Sequence, residues 1–264
     1  MENYKLEDEL NQKIVDGLME GYREYLEVRR EKSRSMKVSS AYAWVKGNHI
    51  DDQVAKSCES YGVKSKLAKA GLTWQYLQFN QDEEKIMFIM KNAKYFNEEQ
   101  VDQGKDAKGV TRSTKMSYMT KLMEINLDVD FGNIETENAS DSVQLELIEE
   151  HFWGKLDTTE IEKTNSKYDR FYIITYEIDE NQLISKISLL MPNPVNNKAY
   201  LIDDLIKYVT PSNNVVIDDE LKDALSTNMD ESYDAFKFDI ALKDDAEEFD
   251  IELKDDEKDK EDQG

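Results

Sequence analysis

Three groups of residues in this 264-residue chain have the types and spacing for chemistry. Glu83-Glu84-Lys85 sets a carboxylate two positions before a lysine, with Asp51 and Asp52 upstream. Paired carboxylates with a lysine are what a magnesium-dependent nuclease needs, to hold the ion and to polarise the attacking water. His49 next to Asp51 and Asp52 could be a general base with an orienting carboxylate, although the same residues also read as a helix N-cap near Asn48 or Asp51. Cys58 is a nucleophile only if a base approaches it in space; otherwise it is a small buried apolar residue. Neither GxxxxGK[ST] nor GxGxxG occurs, so the sequence gives no phosphate-cradling loop. In a chain that is 34% charged, a Glu-x-Lys triplet arises by chance, and this one falls in an expected turn. The sequence therefore carries no catalytic signature and points to no cofactor.

Contact residues are more telling. Residues 238–245 read FDIALKDD and residues 249–256 read FDIELKDD. Phe238, Ile240 and Leu242, and again Phe249, Ile251 and Leu253, alternate with polar positions, a strand period. Asp239, Asp244, Asp245, Asp250, Asp255 and Asp256 carry the charge, and residues 240–264 hold 12 acids against four lysines. Such density in neighbouring strands is repulsive unless cations lie opposite. One reading makes the octets the last strands of the fold. The other makes them strands offered to a partner's sheet edge, with apolar anchors and aspartates steering toward a basic surface.

The opposite charge gathers in the first half: Arg29, Arg30, Lys32 and Arg34 end a helical stretch, Lys64, Lys66 and Lys69 follow, and Lys105, Lys108 and Arg112 lie in a loop. With Trp74 and Tyr76 as stacking platforms, these residues form a second candidate, a nucleic-acid surface.

Net charge is formally −23. Residues 1–122 hold 21 Lys and Arg against 19 Asp and Glu, a balance of +2, whereas residues 123–264 hold 13 against 38, a balance of −25. An anionic half of this kind seeks basic surfaces rather than phosphates or anionic membranes. No apolar run approaches eighteen residues, and MENYKLEDEL lacks the form of a signal peptide, so a cytoplasmic protein without a membrane segment is expected. One cysteine and two histidines cannot assemble a Cys/His zinc site; carboxylate-bound magnesium or calcium stays open, but the leading reading has no metal.

The elements that must position these residues follow from periodicity. Leu6, Leu10, Ile14, Leu18, Tyr22 and Leu26 predict a long amphipathic helix over about 4–34. A second helix follows in AYAWVKGNHIDDQVAKSCESYG, its start capped near Asn48 or Asp51. LTWQYLQF (72–79) with KIMFIMKN (85–92), and FYIITYEI (171–178) with LISKISLLM (183–191), predict two antiparallel hairpins, with 171–178 central in a sheet. A helix is expected near 111–125, another in AYLIDDLIKYV, and a strand in NVVI. The class is α+β, in four regions: 1–125 helical with a hairpin, 126–166 an acidic loop or linker, 167–234 antiparallel and β-rich, and 235–264 acidic repeat and tail.

The stretches SYGVKSKLAKAGLTWQYLQF, FIMKNAKYFN, QGKDAKG, YIITYEID and LLMPNP together resemble an uncharacterised family carried on prophages and mobile elements of low-GC bacteria, over about residues 40–210. The resemblance implies a setting of genome conflict, with toxins, antitoxins and inhibitors, and supplies no catalytic residues. The expectation is a non-enzymatic regulatory or inhibitory interaction protein whose acidic end engages a basic protein, including one whose basic face serves nucleic acid. The second reading is a nucleic-acid-acting protein of nuclease-toxin type.

Overall fold

Leu10, Ile14, Leu18, Tyr22, Tyr25 and Leu26 line the buried stripe of α1 (Asp8–Ser35), and Asp8 and Glu9 at its start and Lys32 and Arg34 at its end complement the helix dipole. The structure is a computed structural model that describes residues 4–70, 75–135 and 167–226. Helix α2 (Lys46–Glu59) lies against α1 where Gly17 and Gly21 face it. A Cβ on Gly17 would stand 2.6 Å from Val54 Cα, and one on Gly21 2.5 Å from Ile50 Cα. The two backbones touch there, which no side chain permits. The cap expected at Asn48 or Asp51 is corrected: Val45 occupies the N-cap without a side-chain bond, and both residues lie inside the helix.

Six strands form one mixed sheet in sequence order: β1 (Val63–Lys69), β2 (Gln75–Gln81), β3 (Ile86–Asn92), β4 (Arg170–Ile178), β5 (Ile184–Pro192) and β6 (Ala199–Asp204). Both expected hairpins are present, as β2–β3 and β4–β5. Strands β3 and β4 pair in parallel, which lets residues 93–135 cover the sheet. Alternation along the central strands sends Phe88, Tyr172, Ile174 and Leu189 toward α1 and α2, and Met87, Ile89, Phe171 and Ile173 toward Phe96, Val101 and α3 (Ser117–Met123). Phe131 and Ile134, beside and within the short α4 (Gly132–Glu135), join the first of these cores. The class is α+β, as expected.

Fully buried Asn126 closes the sheet between β4 and β5. Its Nδ2 donates to the carbonyls of Phe171 and Pro192, both at 2.9 Å, and its Oδ1 accepts the Phe171 N–H at 2.7 Å. Pro192 has no N–H to give its neighbour, and the Asn126 amide takes that place.

Three expectations are corrected, and one strand has no counterpart among them. Residues 63–69 form a strand, concealed by Lys64, Ser65 and Lys66 on an exposed edge. AYLIDDLIKYV is no helix: its first six residues are edge strand β6, with Ile202 buried and Leu201 exposed, and a 3-10 turn (Leu205–Tyr208) follows. Residues 214–217 form no strand and lead into helix α5 (Asp219–Ser226). The helix expected over 111–125 spans only 117–123, because a bridge between Lys105 and Thr111 holds the preceding segment as a closed loop. The described residues fall in one compact unit, and a single sheet joins the expected regions 1–125 and 167–234. No helix among the described residues is long and apolar enough to cross a membrane.

Candidate functional site

The basic end of α1 is where the structure brings acid and base together. Asp218 caps α5 by accepting the Leu221 N–H at 2.9 Å, and its other oxygen takes Arg30 Nη2 at 2.8 Å. Arg34 forks onto Glu220, Nε and Nη2 each 2.6 Å from a carboxylate oxygen. Arg29 is 2% exposed and donates to Tyr25 Oη at 3.0 Å and to the Ala224 carbonyl at 2.9 Å, near the C-terminal end of α5. Three arginines of one helix thus hold an acidic helix from the other half of the chain at both its ends. Lys32 pairs with Glu31 and faces the Tyr42 ring.

The remaining basic candidates do not join this end. Lys64, Lys66 and Lys69 lie on edge strand β1, where Lys64 binds Asp82 at 2.9 Å. Lys105, Lys108 and Arg112 lie in a loop whose approach, residues 97–103, is bonded to Asn197 in the turn before the opposite edge strand, β6. Within that loop Arg112 Nε donates to the Lys105 carbonyl at 3.1 Å, and the Lys108 N–H donates to Asp106. Tyr76 is buried, 5.1 Å from the Tyr118 ring, with the Lys91 ammonium over both rings and 2.8 Å from Tyr118 Oη. A packed position replaces the expected stacking platform. Trp74 and both octets, with Phe238, Asp239, Ile240, Leu242, Asp244, Asp245, Phe249, Asp250, Ile251, Leu253, Asp255 and Asp256, lie outside the described residues.

The expected chemical groups are dispersed. Glu83, Glu84 and Lys85 occupy the exposed turn after β2, with Lys85 3.5 Å from Asp169, whereas Asp51 sits at the other end of that strand, beside Leu77. His49 meets Glu24 on α1 at 3.3 Å rather than Asp51 or Asp52, and Asp52 pairs with Lys56. No group of three or more His, Cys, Asp or Glu among the described residues could hold a metal ion. Cys58 is fully buried, and burial pushes its thiol up to about 12. It should resist thiol reagents in native protein at pH 8 and react at once in denaturant; rapid native labelling would contradict this placement.

One titratable cluster has no counterpart in the sequence pattern. The β2–β3 ladder spans only three pairs, Phe79–Gln81 with Ile86–Phe88, and beyond it the Leu77 N–H turns to Asp51 Oδ2 at 3.4 Å. Burial raises the Asp51 carboxyl to about 7, against the Leu77 bond and the Lys91 charge. Lys46, one helical turn earlier, stands 5.3 Å over the Tyr25 ring, and burial followed by the charges of Arg29 and Lys94 lowers it to about 8. Tyr176, buried nearby, is raised by burial and then by Asp51. Only tertiary packing of α1, α2 and the strand ends assembles this group.

The Asp51 shift has a pH signature. Between about pH 4 and 7 the folded chain keeps a proton that the unfolded chain has released, so stability falls as pH rises through that window and levels off above it. The slope is at most about 1.4 kcal/mol per pH unit. Asp51→Asn removes that component, and urea melts at pH 5, 6, 7 and 8 should show the variant gaining on the parent; parallel profiles would refute the shift.

The arrangement is an α+β scaffold with an acid-on-arginine contact at one place and a cation–tyrosine cluster at another. No protein-family model, curated protein or solved structure matches the chain.

Proposed function

We propose that the chain is a non-enzymatic regulatory or inhibitory interaction protein of the phage and mobile-element setting its resemblance implies, whose acidic C-terminal half captures a basic surface on a protein partner. The observation that carries this reading is the seating of α5 on α1. There, acidic side chains from the anionic half, Asp218 and Glu220, already recognise arginines at 2.6 to 2.8 Å. The octets offer the same chemistry at higher density, with Phe238, Ile240, Phe249 and Ile251 as apolar anchors between the aspartates. Two copies eleven residues apart raise the effective concentration of the second once the first is bound. The separation of the basic residues into three places, one of them occupied by α5, favours a protein partner over a continuous phosphate track.

The test uses the full chain as bait in a nuclease-treated lysate of its host, beside a full-length variant with the six octet aspartates changed to asparagine. Basic proteins retained by the parent and lost by the variant support the proposal. Capture that disappears on nuclease treatment, or is unchanged in the variant, refutes it.

A further inference from the structure

We propose that the outer edge of β1 is a docking site for an extended segment of another protein, one in which acidic and apolar residues alternate and which joins the sheet as an added strand. The sheet runs from β1 to β6 in order, so it has two edges, the outer sides of β1 and β6. The β6 side is closed where that strand begins: the Ala199 N–H donates to the Glu98 carbonyl at 2.7 Å, and the Val101 N–H to the Asn197 carbonyl at 2.9 Å. The β1 side is open. Lys64, Ser65, Lys66 and Leu67 are consecutive and all exposed. The ladder to β2 keeps one register along the whole strand, from Val63 opposite Gln81 to Lys69 opposite Gln75. An exposed, unbroken edge of this kind is a template for a further strand.

The side chains on the edge select that strand. β1 carries three lysines and no acid, so two copies of it placed edge to edge repel one another. Alternation puts Lys64 and Lys66 on one face, two positions apart, and Ser65 and Leu67 on the other. The Lys64 side chain is 75% exposed, and its present partner, Asp82, is also held by Lys167 at 2.7 Å and by Tyr168 Oη at 3.1 Å. An incoming carboxylate can therefore take the Lys64 ammonium without leaving Asp82 unpaired. Leu67 is 58% exposed and stands opposite Leu77, which packs against the core shared with α1 and α2. An apolar side chain beside Leu67 prolongs that row and takes Leu67 out of water. Acids two residues apart against Lys64 and Lys66, with apolar residues between them on the Leu67 face, are the pattern that fits. A nucleic-acid backbone would answer the lysines but neither the peptide groups of the edge nor Leu67. This surface is opposite in sign to the octets, and the proposal does not depend on them.

The test is a titration of the full chain with a blocked peptide as long as β1, alternating valine and glutamate, at about 50 mM salt, where exposed charges are weakly screened. Amide exchange is followed residue by residue by NMR. Saturable binding is expected, with slowed exchange at alternate amides of residues 63–69, those that do not already bond to β2. Lys64→Gln combined with Lys66→Gln should weaken binding about tenfold or more and leave the melting temperature near the parent's, because both side chains are exposed. A peptide of the same composition with its glutamates grouped together should bind markedly more weakly. Absence of saturation, unchanged exchange in β1, equal binding of the grouped peptide, or undiminished binding by the double variant would overturn the proposal. So would protection of β1 by an oligonucleotide in place of the peptide, or self-association of the parent that the double variant abolishes, since each assigns the edge to another occupant.

Discussion

Gly21→Val is expected to destabilise the protein by about 3 kcal/mol or more, among the largest effects open to a single substitution here. The added Cβ would meet Ile50 Cα and the His49 carbonyl oxygen, each at 2.5 Å, and both are backbone atoms that cannot rotate away. Relief requires α1 and α2 to separate, and the apolar surface between them, including Leu18, Val54 and Cys58, would lose contact. Gly21→Ala should be milder by the helix preference it gains, about 1 kcal/mol, yet still destabilising. Gly47→Ala is the control. Gly47 also lies in a helix, but a Cβ added there would find nothing within 4 Å, so that change should be neutral or slightly stabilising. Denaturant melts of the three variants decide the matter. Equal midpoints for Gly21→Ala and Gly47→Ala would show that the helices do not touch there.

Asn126→Ala should cost about 3 kcal/mol. The substitution leaves the Phe171 N–H and the carbonyls of Phe171 and Pro192 without the side chain that now bonds all three, in a place closed to water. Asn126→Asp should be at least as damaging at neutral pH, because a carboxylate would face two carbonyl oxygens in place of an amide that donates to them. Hydrogen exchange localises the effect: the Phe171 amide, protected in the parent, should exchange with the first openings of the sheet in Asn126→Ala. Retained protection would mean that the ladder holds β4 and β5 together there without it.

Both residues show where a sequence stops being legible. The stripe of α1 is visible because Leu10, Ile14, Leu18 and Tyr22 repeat every four residues, and the central hairpins because apolar and β-branched residues run almost unbroken from Phe171 to Ile178. Gly17 and Gly21 carry no hydrophobic signal, and their meaning lies in a second helix thirty residues on. Strand β1 is hidden because an edge strand with lysines on it has the composition of a loop. The first residues of AYLIDDLIKYV suggest a helix because their apolar spacing suits either period, and pairing with β5 decides for strand. The basic residues at the end of α1 are legible as a patch; their engagement by α5 is not, because Asp218 and Glu220 lie about 190 positions away and local pattern cannot pair them. The Lys46–Asp51–Tyr176 cluster is hidden for the same reason, since its members come from α2 and β4 and owe their shifted protonation chiefly to burial.

The proposed function rests on negative charge recognising positive charge on another protein, and its salt dependence measures that directly. Full-length parent and the variant with Asp239, Asp244, Asp245, Asp250, Asp255 and Asp256 changed to asparagine are titrated against a lysine- and arginine-rich peptide between about 50 and 300 mM salt, a range over which screening of exposed charges changes strongly. The parent should bind with affinity that falls steeply as salt rises, and the variant should bind at least about tenfold more weakly at the lowest salt, with a shallower slope. Equal affinities and equal slopes for the two proteins would contradict that recognition.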